Sequence, residues 1–307
     1  MRNDTLLLSK NGIATRLVAI KLLEYAPKDR IPTISELSET LHLARGTVQN
    51  AIFTLEENNA IRTRSRGILG SFLENYDIHK IMEIIGIDIL LGTMPLPYTR
   101  AMEGLAYGMI QELESYFHIP THFGYMAEPK TRIEMMLSGR YDFAIVSEFY
   151  AKKYMSEHDD IAIVMTLGAN SYTSKNVLLF AEEGHTEIED GMTLGVPRIS
   201  LDQVFLLNQL AEGKKVNYYS LDYYNIVSDV ENHKFDATVL NYDDVSRMFT
   251  NPHFVEVDVE NFSDRNAAVV VNKRYEGMAK NIIRYLSQEN IRELQERVIR
   301  GEIYPHY

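Results

Sequence analysis

The stretch ISELSETLHLARGTVQNAIFTLEEN, residues 34–58, contains two amphipathic helical patterns with almost nothing between them. Thr33 or Ser35 is placed to cap the first helix, and the second helix follows a short turn at His42–Leu43. Their apolar stripes are Leu37 and Leu41 in the first helix and Val48, Ala51, Ile52 and Leu55 in the second. Two short helices this close in sequence must cross at a steep angle, so the second one is presented at the surface.

A further helix precedes this pair, and a basic hairpin follows it. The helix is predicted over residues 11–25, with Ile13, Leu17, Ile20 and Leu23 at helical spacing. The segment IRTRSRGILGSFL, residues 61–73, alternates with period two, and Gly67 and Gly70 permit a tight turn in it. Helix–turn–helix followed by a basic hairpin is the arrangement of a winged helix, whose last helix enters a DNA major groove. A protein-docking module is the alternative.

Residues 31–73, IPTISELSETLHLARGTVQNAIFTLEENNAIRTRSRGILGSFL, resemble the winged helix of GntR-type bacterial regulators without a gap. The resemblance implies that double-stranded DNA is a partner. Ala44 departs from the family, which has a capping serine there, and Gly46 replaces a residue that often contacts DNA. Gln and Asn can read adenine, and Arg can read guanine or hold phosphate. The expected DNA-binding residues are Arg45, Thr47, Gln49, Asn50, Arg62, Arg64, Arg66 and Gly67.

The distribution of charge agrees with a small DNA-binding segment on a larger body. The chain has 307 residues and a net charge of −12. Residues 1–76 hold 10 Lys/Arg and 8 Asp/Glu, a net of +2, whereas the remainder holds 21 and 35, a net of −14. Only the N-terminal segment is therefore suited to approach phosphates. We expect a DNA-binding domain at residues 1–75, a linker helix at residues 76–86 and a ligand-binding domain at residues 87–307.

The rest of the chain alternates buried-strand and helix patterns, which predicts an α/β architecture with parallel sheets. The segments SGRYDFAIVS (138–147) and NHKFDATVLN (232–241) have the same form, a helix end followed by an aromatic–Asp pair and a buried strand. We interpret them as one motif that occurs once in each of two lobes. Residues 275–300 are predicted to be helical with few breaks.

The opening LLGTMPLPYTRAMEGLAYG, residues 90–108, and the first of these segments resemble the type 2 periplasmic-binding-protein fold, also used for effector sensing by LysR-type regulators. The resemblance covers about residues 87–300, and with a GntR-like winged helix the combination is similar to the YhfZ group of bacterial regulators. In such a fold a small molecule binds between the lobes, at the carboxyl ends of the strands. Helix N-termini there favour an anionic group on the ligand.

The loops at those strand ends supply the candidate ligand-binding residues. Some have a simpler interpretation, since Ser200 can be mainly a helix cap and surface tyrosines are common in a chain with 19 of them. The candidates are Thr93, Tyr98, Thr99, Arg100, Tyr125, Ser147, Tyr172, Arg198, Ser200 and Asn241.

Catalytic and metal-binding motifs are scarce. The chain has no Cys, and none of the short signatures GxSxG, GxxxxGK[ST], GxGxxG or HExxH occurs in it. His118 and His122 are a weak metal pair, and the carboxylate pairs 159–160 and 243–244 are expected in exposed turns. We therefore expect a regulator without catalytic residues, cofactor or metal. An enzyme of the same fold, a lyase or dehydratase using Asp202 and Asp243, is the alternative.

Location and assembly complete the expectations. The apolar run LLL in the start MRNDTLLLSKNG is too short for a signal peptide. No apolar run in the chain approaches the roughly 20 residues of a membrane span. A cytoplasmic protein with no membrane partner is therefore expected. One winged helix makes too few base contacts to select a site, so we expect a homodimer. Its predicted interface is the linker-helix stripe, joined by the first helix; these residues are Ile78, Ile81, Met82, Ile85, Leu17, Val18 and Leu22.

Overall fold

The computed structural model describes residues 9–197, 200–257, 259 and 262–306. The N-terminal part of the described chain is a three-helix unit with a hairpin. Its elements are α1 (Lys10–Leu22), α2 (Ile34–Leu41), α3 (Arg45–Glu57), β1 (Ile61–Ser65) and β2 (Ser71–Tyr76). Thr33 and Glu36 form a reciprocal capping box at the start of α2. The left-handed backbone of His42 (φ +52°) ends α2, so the chain turns directly into α3.

The first five-stranded sheet, in the order β4-β3-β5-β12-β6, forms lobe I. Its strands are β3 (Leu90–Met94), β4 (Thr121–Tyr125), β5 (Phe143–Ser147), β6 (Ile161–Thr166) and β12 (Ala267–Asn272). The helices of this lobe are α5 (Arg100–Phe117), α6 (Pro129–Leu137), α7 (Glu148–Glu157), α11 (Glu276–Ile283) and α12 (Gln288–Ile299). The helical segment predicted over residues 275–300 is divided into α11 and α12, because Ser287 caps a new helix start.

The second sheet, in the order β11-β7-β10-β8-β9, forms lobe II. Its strands are β7 (Asn176–Phe180), β8 (Thr193–Pro197), β9 (Asn217–Leu221), β10 (Ala237–Asn241) and β11 (His253–Val257). Its helices are α8 (Leu201–Leu210), α9 (Ile226–Glu231) and α10 (Tyr242–Met248). A 3-10 turn at Tyr223–Asn225 precedes α9.

Both sheets are mixed, so the prediction of parallel sheets is wrong in part. β12 lies between β5 and β6 and is antiparallel to both. β7 is likewise antiparallel to β10 and β11. The reason is the path of the chain, which leaves the first sheet after β6, builds lobe II and returns in the opposite direction as β12. Such a return is not a right-handed strand–helix–strand crossover, so the rule for parallel strands does not apply to it.

One apolar core joins the winged helix to lobe I. It contains the stripe of α4 (Ile78–Ile85), whose four apolar side chains Ile78, Ile81, Met82 and Ile85 are 0–8% exposed. Val18 and Leu22 of α1 belong to the same core, whereas Leu17 is 37% exposed. Asn281 of α11 also donates a hydrogen bond from Nδ2 to the Leu23 carbonyl, at 3.0 Å. The stripe of α4 is therefore not free to form the predicted dimer interface, because it already packs within its own chain.

Within the described residues, no helix is long and apolar enough to cross a membrane.

Candidate functional site

The exposed face of α3 carries the residues expected to read DNA. Arg45, Gln49 and Asn50 are exposed, and Thr47 is half-buried. The opposite face, with Val48, Ala51 and Leu55 buried, holds the helix on α1. Ala44 stands at the N-cap and offers no oxygen to the free N–H groups of the first turn, which a DNA phosphate can occupy instead.

The β1–β2 hairpin forms the basic wing. The side chains of Arg62 and Arg64 are 80% and 66% exposed and lie 3.3 and 3.6 Å from the Glu74 carboxylate on β2. Such exposed ion pairs contribute little, so both guanidinium groups can exchange Glu74 for a phosphate at small cost. The Arg66 guanidinium lies over the Phe72 ring at 4.6 Å. Gly67 has a φ of +59° at the wing turn, a backbone conformation that suits glycine.

A cavity of about 580 Å³ lies between the two lobes, and both contribute to it. This volume is in the range of small-molecule sites. Lobe I contributes Pro95, Tyr98 and Arg132 to the wall, and lobe II contributes Ser200, Asp202 and Tyr223. The N-termini of α6, α7, α8 and α10 all reach this wall, since each helix begins where a strand of its sheet ends.

Arg132 on α6 is the fixed cation of this cavity. Its side chain is 1% exposed, and Nη1 donates to the carbonyls of Met126 and Ala127 at 2.6 and 2.9 Å. Nη2 donates to the Tyr172 hydroxyl at 2.9 Å. Among the described residues Nε has no hydrogen-bond partner. Three hydrogen bonds thus hold the guanidinium in one orientation with a donor left for an acceptor in the cavity.

Two carboxyl groups, those of the half-buried Asp202 and the buried Asp264, share the same cavity. Burial raises the pKa of Asp202 to about 7, with the charge of Asp264 adding to the shift and the Ser147 hydroxyl and Arg132 opposing it. Burial likewise raises the pKa of Asp264 to about 6, against the hydrogen bond that Asn176 Nδ2 donates to its Oδ2 at 2.5 Å. Oδ1 of each carboxyl is buried without a hydrogen-bond partner among the described residues.

The lobe II wall is ordered by a second polar network. Tyr223 donates to Asp244 Oδ2 at 2.8 Å and accepts from Gln203 Nε2 at 3.3 Å. Arg247 lies 3.5 Å from Asp244 Oδ1 and stacks its guanidinium over the Tyr98 ring at 4.7 Å, which links the lobes. Asp244 is 1% exposed, so the expectation of an exposed turn at 243–244 is wrong for it. Burial raises its pKa.

The structure brings half of the predicted ligand residues to the cavity: Tyr98, Ser147, Tyr172, Ser200 and Asn241. Ser147 and Ser200 accept hydrogen bonds from Tyr150 N and Gln203 N, so both also cap helices. Arg198 lies outside the described residues.

The other four candidates are not among the described residues that line the cavity. Thr93 is 0% exposed inside lobe I, and Thr99 accepts from Met102 N to cap α5. Arg100 lies 3.8 Å from Glu103 and over the Tyr304 ring, on the outer side of α5. Tyr125, at the end of the edge strand β4, is 41% exposed. A sequence position near a strand end thus predicts that a residue lies near the cleft, but it does not predict the direction of the side chain.

Sequence reasoning missed several lining residues: Arg132, Gln203, Tyr223, Arg247 and Asp264. One sequence feature could have indicated Arg132, namely its position in the first turn of a helix that follows a strand end. Asp264 had none, because it belongs to a connection without periodicity.

These features define a class of protein, a two-lobed domain of the periplasmic-binding-protein type attached to a helix-turn-helix domain. Residues 77–307 match the family described as YhfZ C-terminal domain, and residues 28–73 match a family described as helix-turn-helix domain. The chain belongs to the YhfZ C-terminal domain family. The predicted fold class and the predicted similarity to the YhfZ group are therefore confirmed.

Individual relatives agree with this assignment. The Escherichia coli (strain K12) protein YhfZ is 27% identical over 303 residues, which cover 98% of each chain. The crystal structure of YhfZ from Shigella flexneri matches with a TM-score of 0.62 at 24% identity, covering 75% of this chain and 98% of that one. The periplasmic VFT2 domain of Bordetella pertussis BvgS has a TM-score of 0.52 at 14% identity, covering 73% and 98%. The last two likenesses concern the fold alone.

Proposed function

We propose that the protein is a cytoplasmic transcriptional regulator whose GntR-like winged helix binds operator DNA and whose cleft binds a small effector. The observation that carries the proposal is the 580 Å³ cavity with buried, unpartnered polar atoms, in a chain that also has a helix-turn-helix domain. Buried polar groups without partners are costly, so a cavity lined with them favours a polar ligand. Arg132 is suited to hold an anionic group of that ligand.

The contact between winged helix and lobe I supports communication between the two sites. The shared core makes α1–α4 and lobe I one packed unit. Closure of lobe II onto an effector therefore moves lobe II relative to the DNA-binding face. Two copies related by a two-fold axis would read two half-sites, and we propose a homodimer on that ground. Because α4 is buried, the dimer surface must lie elsewhere, and light scattering measures the assembly.

DNA binding is tested by charge removal from the wing. We expect the triple change of Arg62, Arg64 and Arg66 to Ala to weaken binding of all duplexes and to flatten the salt dependence, by about one log–log unit per lost phosphate contact. Gln49→Ala should instead relax base preference, at about 1–3 kcal/mol. Fluorescence anisotropy against selected and random duplexes at several salt concentrations measures both.

The matched control removes three exposed cations of lobe I, Lys130, Lys152 and Lys153, whose side chains are 52–63% exposed. Their replacement by Ala should leave the salt dependence unchanged. Equal effects of the two triple variants would contradict a role of the wing in DNA binding.

An enzyme of the same fold is a second candidate, favoured by one observation. A cleft carboxyl group with a pKa of about 7, as burial gives Asp202, is suited to exchange protons near neutral pH. Chemical conversion of a bound molecule, with loss of conversion in Asp202→Asn, would favour this candidate over the regulator.

A further inference from the structure

The two carboxyl groups of the cavity are arranged for a positive charge. Asp202 begins α8 of lobe II, and Asp264 lies in the connection that returns to lobe I, so the groups approach the cavity from different elements. Their charges interact, since Asp264 contributes to the raised pKa of Asp202. Each keeps one buried oxygen, Oδ1, without a hydrogen-bond partner in the described residues. A cation between them would satisfy both oxygens and remove their repulsion.

Arg132 does not supply that cation. Its charge acts on Asp202 through space, but the described residues show no direct ion pair between the two. Three of its five N–H donors, two on Nη1 and one on Nη2, already bind Met126, Ala127 and Tyr172, which leaves the N–H of Nε and one N–H of Nη2 for an anionic group. The guanidinium and the two carboxyl groups thus line the same cavity, and among the described residues they do not pair with one another.

The donor set favours an ammonium group over a metal ion. No group of three or more His, Cys, Asp or Glu side chains suited to a metal occurs in the described part of the chain. A primary ammonium has three N–H donors, which match carboxylate oxygens together with a neutral acceptor. Gln203 offers one, because its side chain is 5% exposed, lines the cavity and has Oε1 without a partner among the described residues.

We propose that the effector is a small zwitterionic amine, whose ammonium group is held by Asp202 and Asp264 and whose anionic group is held by Arg132. This inference rests on the proposed effector-binding function and names the chemistry of its ligand. The expectation of an anionic ligand is thereby extended, since the cavity contains both signs of charge. An uncharged polyol, bound by protonated carboxyl groups, is the competing ligand class.

The pH dependence separates the two classes. Asp202 is faced by Ser147 and Arg132, with Tyr150 and Tyr172 nearby, and Asp264 is faced by Asn176 and Arg265. Burial raises the pKa of both carboxyl groups, so at pH 5 both are largely protonated in the empty cavity. An ammonium ligand must displace those protons, so its affinity falls as the pH falls from 8 to 5. A polyol shows the opposite trend.

The experiment uses the full chain and matched probes that differ in one group. Isothermal titration calorimetry and thermal shift compare 4-aminobutyrate with 4-hydroxybutyrate and glycine with glycolate, with putrescine, 1,4-butanediol, glycerol and inorganic phosphate as reference probes. We expect at least one amine with an anionic group to bind about tenfold or more tightly than its hydroxyl partner. That preference should disappear in Asp202→Asn, and binding at pH 6 should release protons. The control is Asp88→Asn, an exposed carboxyl outside the cavity wall, which should behave as the unchanged protein.

Asp264→Asn is the second variant and keeps the inference testable where Asp202→Asn fails to fold. Binding of a hydroxyl compound or phosphate without any preference for amines would overturn the zwitterion while leaving the effector cleft intact. Failure of every probe to bind would overturn the zwitterionic amine. DNA binding measured on the same samples separates these outcomes from failure of the regulator itself.

Discussion

At the scale of single residues, the most unusual group is the carboxyl of Asp202, whose burial makes ionisation unfavourable. The pKa of this group is about 7 in the folded protein, against the ordinary value of 3.8. Between these values the unfolded chain releases the proton and the folded chain retains it. The folded state is therefore destabilised progressively as the pH rises through this window, and the loss is complete above pH 7.

We therefore predict that Asp202→Asn raises the melting temperature of the ligand-free protein at pH 8 and changes it little at pH 4. The amide keeps the shape of the side chain and removes the charge whose burial is unfavourable. Thermal denaturation at the two pH values measures the difference. An equal shift at both would show that packing, and not ionisation, is responsible.

At the scale of elements, α5 and α12 pack so closely that glycine is required between them. A Cβ atom added at Gly108 would lie 2.6 Å from the Ile291 carbonyl oxygen, and one added at Gly104 would lie 2.7 Å from the Gln295 carbonyl oxygen. Neither carbonyl can move aside without shifting α12. These two glycines, one helical turn apart, fix the distance between the helices.

Gly108→Ala is predicted to lower the free energy of unfolding by about 1–3 kcal/mol, the usual effect of overpacking. Gly46 in α3 is the matched control, since an added Cβ there meets nothing within 4 Å. Gly46→Ala should raise stability by about 0.5–1 kcal/mol, because alanine has the higher helix propensity. Urea denaturation compares the two variants, and a stabilised Gly108→Ala protein would contradict the close contact.

The elements also show what sequence could and could not predict. The sequence pattern predicts strands at residues 121–125, 143–147, 237–241 and 267–272, and these are the bounds of β4, β5, β10 and β12. Each is a short strand pattern with clear ends, and three of the four are apolar. The helices α7 and α10 and the strand β11 were missed, since their burial alternates irregularly. The direction of β12 depends on the path through lobe II, and the contacts of Arg132 and Asp264 depend on how the lobes meet. Local periodicity in the sequence predicts neither the direction of β12 nor the contacts of these two side chains.

At the scale of the whole molecule, the winged helix and lobe I share a single core, and Ile81 lies inside it at 1% exposure. Ile81→Ala is predicted to lower stability by about 2–5 kcal/mol, through lost burial and the cavity that remains. Hydrogen exchange should accelerate in α1–α3 and in lobe I together, with lobe II less affected.

The control is Leu194→Ala, which removes an equally buried side chain from the separate core of lobe II. Its effect on exchange should be confined mainly to lobe II. Unchanged exchange in α1–α3 of the Ile81→Ala protein would show that the winged helix is stable without lobe I.

The position of β12 has a consequence for the order of synthesis. The ribosome completes α1–α4, β3–β6 and all of lobe II before residues 267–272, the strand between β5 and β6 in the first sheet, leave the exit tunnel. The α11 helix that holds the end of α1 emerges later still. A nascent or prematurely ended chain thus has its helix-turn-helix segment and α4 but lacks the α11 part of the surface on which that segment rests. Only the finished polypeptide therefore has a winged helix that is held by α11.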